Sequence, residues 1–178
     1  MQPRPPTERR DAKFIVQEAT PDWTAATVGN VMITLMMKRG SEQQMRRLRE
    51  IHDGWYAAHP QGIATFNIVL PSTLIPEQGS RDAAAEALAA MQGHHLASTT
   101  VILGDGFWAA TIRSVLTTMF ALSRTRVPQK VCATIDEGAS HQAKLLGPKA
   151  PPADDIVMAC ASLLRTYSCD TNGVPNGG

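Results

Sequence analysis

The stretch Ala97 to Arg124, ASTTVILGDGFWAATIRSVLTTMFALSR, constrains the fold more than any other part of the chain. Thr99, Thr100, Val101, Ile102 and Leu103 are β-branched or apolar, and Gly104-Asp105-Gly106 closes the run. Such a run predicts a strand buried on both faces. The two glycines permit a sharp turn, since glycine reaches positive φ without a Cβ clash. From Phe107 the apolar spacing becomes helical: Ile112, Val115, Leu116, Met119 and Phe120 recur at three and four residues, with Trp108 one turn before. Strand, turn and helix together form half of a βαβ crossover, which predicts an α/β fold with a parallel or mixed sheet.

The turn Gly104-Asp105-Gly106 has two readings. Backbone N–H groups at a helix start attract anions, so it can be a ligand turn. The plainer reading is a tight βα turn whose Asp105 suits the helix dipole. The sequence is neither a P-loop nor a complete G-x-G-x-x-G fingerprint, and Asp105 would repel a phosphate.

The chain has 178 residues, enough for one domain with a sizeable core. Its formal charge of +1 offers no electrostatic argument for nucleic acid. Cys132, Cys160 and Cys169 are widely spaced and odd in number, which reads as reduced thiols in a cytoplasmic protein. The N-terminus lacks a signal-peptide core, and no apolar run approaches a membrane span. No cofactor fingerprint is present, so no cofactor is expected.

Residues 1–12 and 168–178 read as disordered tails. Phe14–Ala19 reads as a first strand and Val28–Met37 as a second, forming a hairpin across Pro21-Asp22, with Gly29-Asn30 as a bulge. Ser41 is a predicted N-cap, with Gln44 completing a capping box. The helix that follows places Met45, Leu48, Ile51 and Trp55 on one stripe. Its Arg46, Arg47 and Arg49 can serve an acidic partner or simply a solvated face. Ile63–Leu70 reads as a third, central strand. An alanine-rich helix capped by Ser80 follows and is ended by Gly93-His94-His95. The adjacent histidines invite a metal, but neighbours in sequence point apart and no third ligand is spaced for them.

After the central unit, Lys130–Ile135 reads as a last strand, with Cys132 as a small core residue. Asp136 is the N-cap candidate for a helix with Ala139, Ala143 and Leu146 inward and His141 outward. Residues 147–153 read as a linker, and 154–167 as a further helix whose face Ile156, Val157, Cys160, Leu163 and Leu164 docks on the domain or, in the other reading, binds a partner helix.

The N-terminal hairpin, the central strands 63–70 and 99–103, and the strand-helix unit 130–146 give the order β-β-α-β-α-β-α-β-α plus one helix. Over residues 13–146 this order resembles the STAS domain, the fold of anti-anti-sigma factors of the SpoIIAA type. The run VILGDGFWAATIRSV also resembles bacterial sequences described as STAS/SEC14-like. The resemblance implies a mixed sheet of about five strands with helices packed on it. It implies a non-catalytic bacterial regulatory or scaffold module that binds a protein partner. In that family a phosphorylatable serine follows the third strand, at a helix start. The counterpart here is the loop 71–81, with Ser72, Thr73, Ser80 and Arg81 as candidate partner-binding or regulatory residues. The loop departs from the family pattern: it has no Asp-Ser pair and no glycine after it. Ser80 at the helix start is the nearest counterpart, and an ordinary N-cap is its other reading.

Two further functions fit the residues. A small-molecule or lipid sensor would line a pocket with Trp23, Trp55, Trp108 and the methionines. An enzyme would draw on Asp53, His52, His59, Asp105, Arg81 and Arg113, which form no nucleophile-base set in sequence.

Overall fold

The computed structural model describes residues 14–38, 40–71, 73, 79, 82–83, 86, 93–122 and 126–168. Six strands form one mixed sheet in sequential order: β1 (Ile15–Ala19), β2 (Trp23–Val28), β3 (Val31–Met36), β4 (Ile63–Val69), β5 (His95–Ile102) and β6 (Gln129–Cys132). β1, β2 and β3 are antiparallel, and β3 through β6 are parallel. The described helices are α1 (Glu42–Ala58), α2 (Gly106–Leu122), α3 (Ile135–Leu146) and α4 (Ala153–Tyr167), with a single 3-10 turn at Gly147–Lys149.

The α/β class and the mixed sheet are as expected, with six strands where about five were expected. The stretch Val28–Met37 is not one strand. Gly29 takes φ +54° and the chain reverses there, so β2 and β3 pair residue for residue from Val28↔Val31 to Trp23↔Met36. Gly29-Asn30 is therefore a hairpin turn rather than a bulge. Asn30 ties it to the next strand, donating its amide to Gly62 O at 3.4 Å and accepting from the Ala64 N–H at 2.9 Å. β1 pairs with residues 24–27, and its irregularity falls between Val16 and Glu18, on an edge where bulges discourage further pairing.

Each parallel crossover advances one strand in the same direction. Right-handed connections then place α1 and α2 on one face of the sheet. α1 packs Leu48, Ile51 and Trp55 over Trp23, Ala25 and Met32 there. Its start has the expected capping box: Ser41 Oγ accepts from the Gln44 N–H, and Gln44 Oε1 accepts from the Ser41 N–H, both at 3.2 Å.

The opposite face carries the main core. Ile33, Leu35, Ala64, Phe66, Ile68 and Val101 meet Ala139 of α3 and Ile156, Ala159, Cys160 and Leu163 of α4. The last helix thus belongs to the same core as the rest of the domain. Within the preceding linker, the Pro151 ring lies 3.6 Å from where a Cβ on Gly29 would sit. Thr134, not Asp136, caps α3, accepting from the Glu137 N–H at 3.2 Å. Thr134 has the extended backbone of an N-cap, and Asp136 falls inside the first turn. Polar side chains enter this core as a bonded pair, Gln142 and Thr99. Gln142, fully buried, accepts from the Thr99 hydroxyl and donates to Thr65 O at 3.4 Å.

His95 is the first residue of β5, and Gly93 and His94 form the turn before it; the alanine-rich helix read ahead of them falls mostly outside the described residues. The tails 1–12 and 169–178 lie outside the described residues, as do Ser72, Ser80 and Arg81.

Candidate functional site

In open α/β sheets, sites form beyond the carboxyl ends of the parallel strands. At that edge the structure joins two segments that sequence spacing keeps apart. Gly104 takes φ +98°, and a Cβ there would meet Pro71 Cγ at 2.8 Å. Gly104 is required both by its backbone and by this approach. The Leu103 N–H donates to Val69 O at 3.0 Å, holding the turn in line with β4. Thr73 is buried; its N–H donates to Leu70 O and its hydroxyl to Met36 O, both at 2.9 Å. The hydroxyl of Thr73 thus fastens the loop to β3.

Arg113 turns back from α2 and donates through Nη1 to Ile102 O at 3.0 Å and Gly104 O at 3.4 Å. It braces the strand-turn junction. Gly106 takes φ +83° with open space where its Cβ would be, so backbone conformation alone selects glycine there. Asp105 is exposed, and Phe107 beside it is 88% exposed. Among the described residues, the edge therefore presents a braced turn, the Asp105 carboxylate and the bare Phe107 ring. Replacing Gly104 by Ala is expected to cost about 1–3 kcal/mol, from positive-φ strain and the collision with Pro71. Urea unfolding of the variant checks this, and an unchanged midpoint would remove the turn's structural role.

The other sequence candidates disperse. Arg46 pairs with Glu42 at 2.7 Å, Arg47 with Glu18 and Glu50 at 2.7 Å each, and Arg49 with Asp53 at 3.7 Å. These are solvent-exposed pairs of small energetic weight. His59 packs on Trp55 with ring centroids 4.7 Å apart. Trp23 and Trp55 share a cluster with Met32 and Met36, while Trp108 lies apart on α2. Burial pushes the Cys132 thiol up to about 11, with the nearby Glu137 carboxylate adding to it, and burial pushes Cys160 to about 12. Neither is a thiolate nucleophile at neutral pH. His141, expected outward, is half-buried, which lowers its pKa.

The two adjacent histidines part company. His94 stacks on Tyr56 at 3.7 Å, while His95 turns inward, 6.4 Å from the ring of His52 on α1. Thr65 Oγ1 lies 3.0 Å from His95 Nε2 and donates to Ser98 Oγ at 3.0 Å. Thr65 Oγ1 thus links Ser98 to His95, with the ring tautomer setting which of Thr65 and His95 donates. Among the described residues, Nδ1 of neither His52 nor His95 has a hydrogen-bond partner. Burial drives the pKa of His52 down to about 3, with His95 contributing, and that of His95 to about 4. Both rings are neutral at physiological pH. The pairing was not visible in sequence, where His52 falls on a helix and His95 looked like that helix-ending turn.

Among the described residues, no three His, Cys, Asp or Glu side chains gather to hold a metal ion. No described helix is long and apolar enough to cross a membrane. No protein-family model, curated protein or solved structure matches the chain.

Proposed function

We propose that this chain is a non-catalytic regulatory or scaffold module of STAS type, bacterial and cytoplasmic, that works by binding a protein partner at the carboxyl edge of its sheet. The observation that carries the reading is Phe107, 88% exposed beside a glycine turn that packs onto Pro71. A large apolar ring held in water on a braced turn is the kind of anchor that protein interfaces bury. The element order supports the STAS comparison: an antiparallel start, sequential parallel strands with helices between them, and a closing helix. The dispersal of the candidate acid-base residues favours binding over chemistry. Asp53 pairs with Arg49, His59 packs on Trp55 and Arg113 braces carbonyls.

The test is affinity capture from native bacterial lysate with wild type, Phe107→Glu and Ser80→Asp. A partner retained by wild type and lost from Phe107→Glu, with unchanged circular dichroism, is the expected result. Loss from Ser80→Asp as well would join the loop 71–81 to the same surface. Identical captures by wild type and Phe107→Glu would overturn the reading.

A further inference from the structure

α2 presents to solvent a face unlike those of the other described helices. Phe107, Ala110, Thr111, Ser114, Thr117 and Thr118 follow the three- and four-residue spacing of one helical side, and all are exposed. None of them carries a charge. By contrast α1 exposes Arg46, Arg47 and Glu50, α3 exposes Glu137 and Lys144, and α4 exposes Asp154 and Arg165. Arg113 is the one charged residue within α2, and it turns back onto Ile102 O and Gly104 O. The threonine hydroxyls are withdrawn as well. Thr111 donates to Phe107 O at 2.8 Å, Thr117 to Arg113 O at 2.8 Å and Thr118 to Ser114 O at 3.0 Å. The face therefore offers methyl groups and the Phe107 ring, a surface that gains by leaving water.

Charge returns at the two ends of the helix, with opposite signs. Asp105 immediately precedes α2, and Arg126 follows a few residues after its end. Both are exposed, and neither forms an ion pair with a described residue. A second copy of this helix laid antiparallel would bring each Asp105 toward the other copy's Arg126, whereas a parallel copy would set like charges together. Shape follows the same rule. The bulky Phe107 ring stands at one end of the face, and the small Thr117 and Thr118 lie roughly 15 Å further along the axis. Antiparallel packing seats each ring over the other copy's threonines. It also sets Ala110 and Thr111 opposite Ser114 at the crossing, where small side chains let the backbones approach. Knob and recess, acid and base thus lie on one face, which makes that face complementary to itself.

We propose that α2 is a homodimer interface, in which the Phe107 face of one copy packs antiparallel on that of a second copy about a two-fold axis passing between Thr111 and Ser114. This rests on the reading of Phe107 as an interface anchor and names its partner. A partner with a charged surface is disfavoured, since its charges would lose hydration against the middle of α2 without compensation. A single helix pair is a small contact, so the dimer is expected to be micromolar rather than nanomolar.

Sedimentation velocity of the full chain, from low micromolar to submillimolar protein, tests this. The expected result is a mass that moves from one chain to two as concentration rises. Phe107→Glu and, separately, Ser114→Lys should each weaken association about tenfold or more, the lysine because the axis sets its two copies against each other. Both positions are exposed, so circular dichroism should be unchanged. Asp105→Arg should weaken the dimer by a smaller factor, and adding Arg126→Asp should restore it to within about threefold, as pairing across copies requires. A wild type that stays monomeric throughout overturns the inference. So does a dimer indifferent to Phe107→Glu and Ser114→Lys, or one that the double charge reversal fails to restore. A monomer that still captures a different protein through Phe107 would remove the second copy and leave the reading of that surface standing. A monomer without such a capture would remove both.

Discussion

Acidification from pH 7 to pH 5 is expected to cost this fold about 4 kcal/mol, roughly 2 kcal/mol from each of His52 and His95. Burial holds their folded pKa values at about 3 and about 4, against 6.5 for a solvated ring. The unfolded chain therefore binds more protons than the folded one throughout this window. Stability is fully present above pH 6.5 and falls as pH drops through 6.5, because protonation draws the chain toward the unfolded state. The loss levels off below about pH 4 for His95 and about pH 3 for His52, where the folded rings also protonate. Urea unfolding between pH 5 and pH 7.5 measures the slope. His95→Gln and His52→Gln should each remove about half of it, and His141→Gln, a half-buried ring, a smaller part. A slope indifferent to both buried histidines would sink the assignment.

The second large effect is expected at Gly138, in the first turns of α3. A Cβ there would lie 2.9 Å from Phe66 Cζ and 3.0 Å from Val101 Cγ2. Phe66 and Val101 are fully buried in the centre of the main core and have no room to retreat. Overpacking of this kind costs about 1–3 kcal/mol. Alanine regains about 1 kcal/mol of helix propensity, which the collision outweighs. Gly138→Val, with a bulkier branch aimed at the same ring, should lose about 3 kcal/mol. Denaturant midpoints give the numbers. Phe66→Leu combined with Gly138→Ala should be less damaging than the sum of the two single changes, since the smaller side chain vacates the contested space. An alanine variant as stable as wild type would mean that α3 does not sit this close to β4.

Much of the fold was legible because its signals are local. The Ser41 and Gln44 capping box needs only four residues and formed as read. The apolar run before Gly104 became β5, and the helical spacing after Phe107 became α2. The docking face of α4, with Ile156, Cys160 and Leu163, was set by its own periodicity. Boundaries failed where one residue type permits two conformations. Gly29 suits either a bulge or a turn, and only the pairing of Trp23–Val28 with Val31–Met36 selects the turn. Thr134 read as the end of a strand because its β-branched side chain fits one, while its hydroxyl was needed as a cap.

By itself, then, the sequence determined the α/β class, the strand-turn-helix unit at 97–124, and which faces of α1 and α4 are apolar. These follow from side-chain periods of two and 3.6 and from backbone preferences acting within a few residues. Tertiary structure alone decided what depends on chain crossings. It placed Pro71 against Gly104, Gly138 against Phe66, and His95 within reach of Thr65, 30 residues away. It also aligned Thr34, Asn67 and Thr100 into one row. The physical reason is register: a one-residue slip between parallel strands would turn Thr65, Asn67 or Thr100 to the opposite face, and register is settled by the packing of the whole sheet.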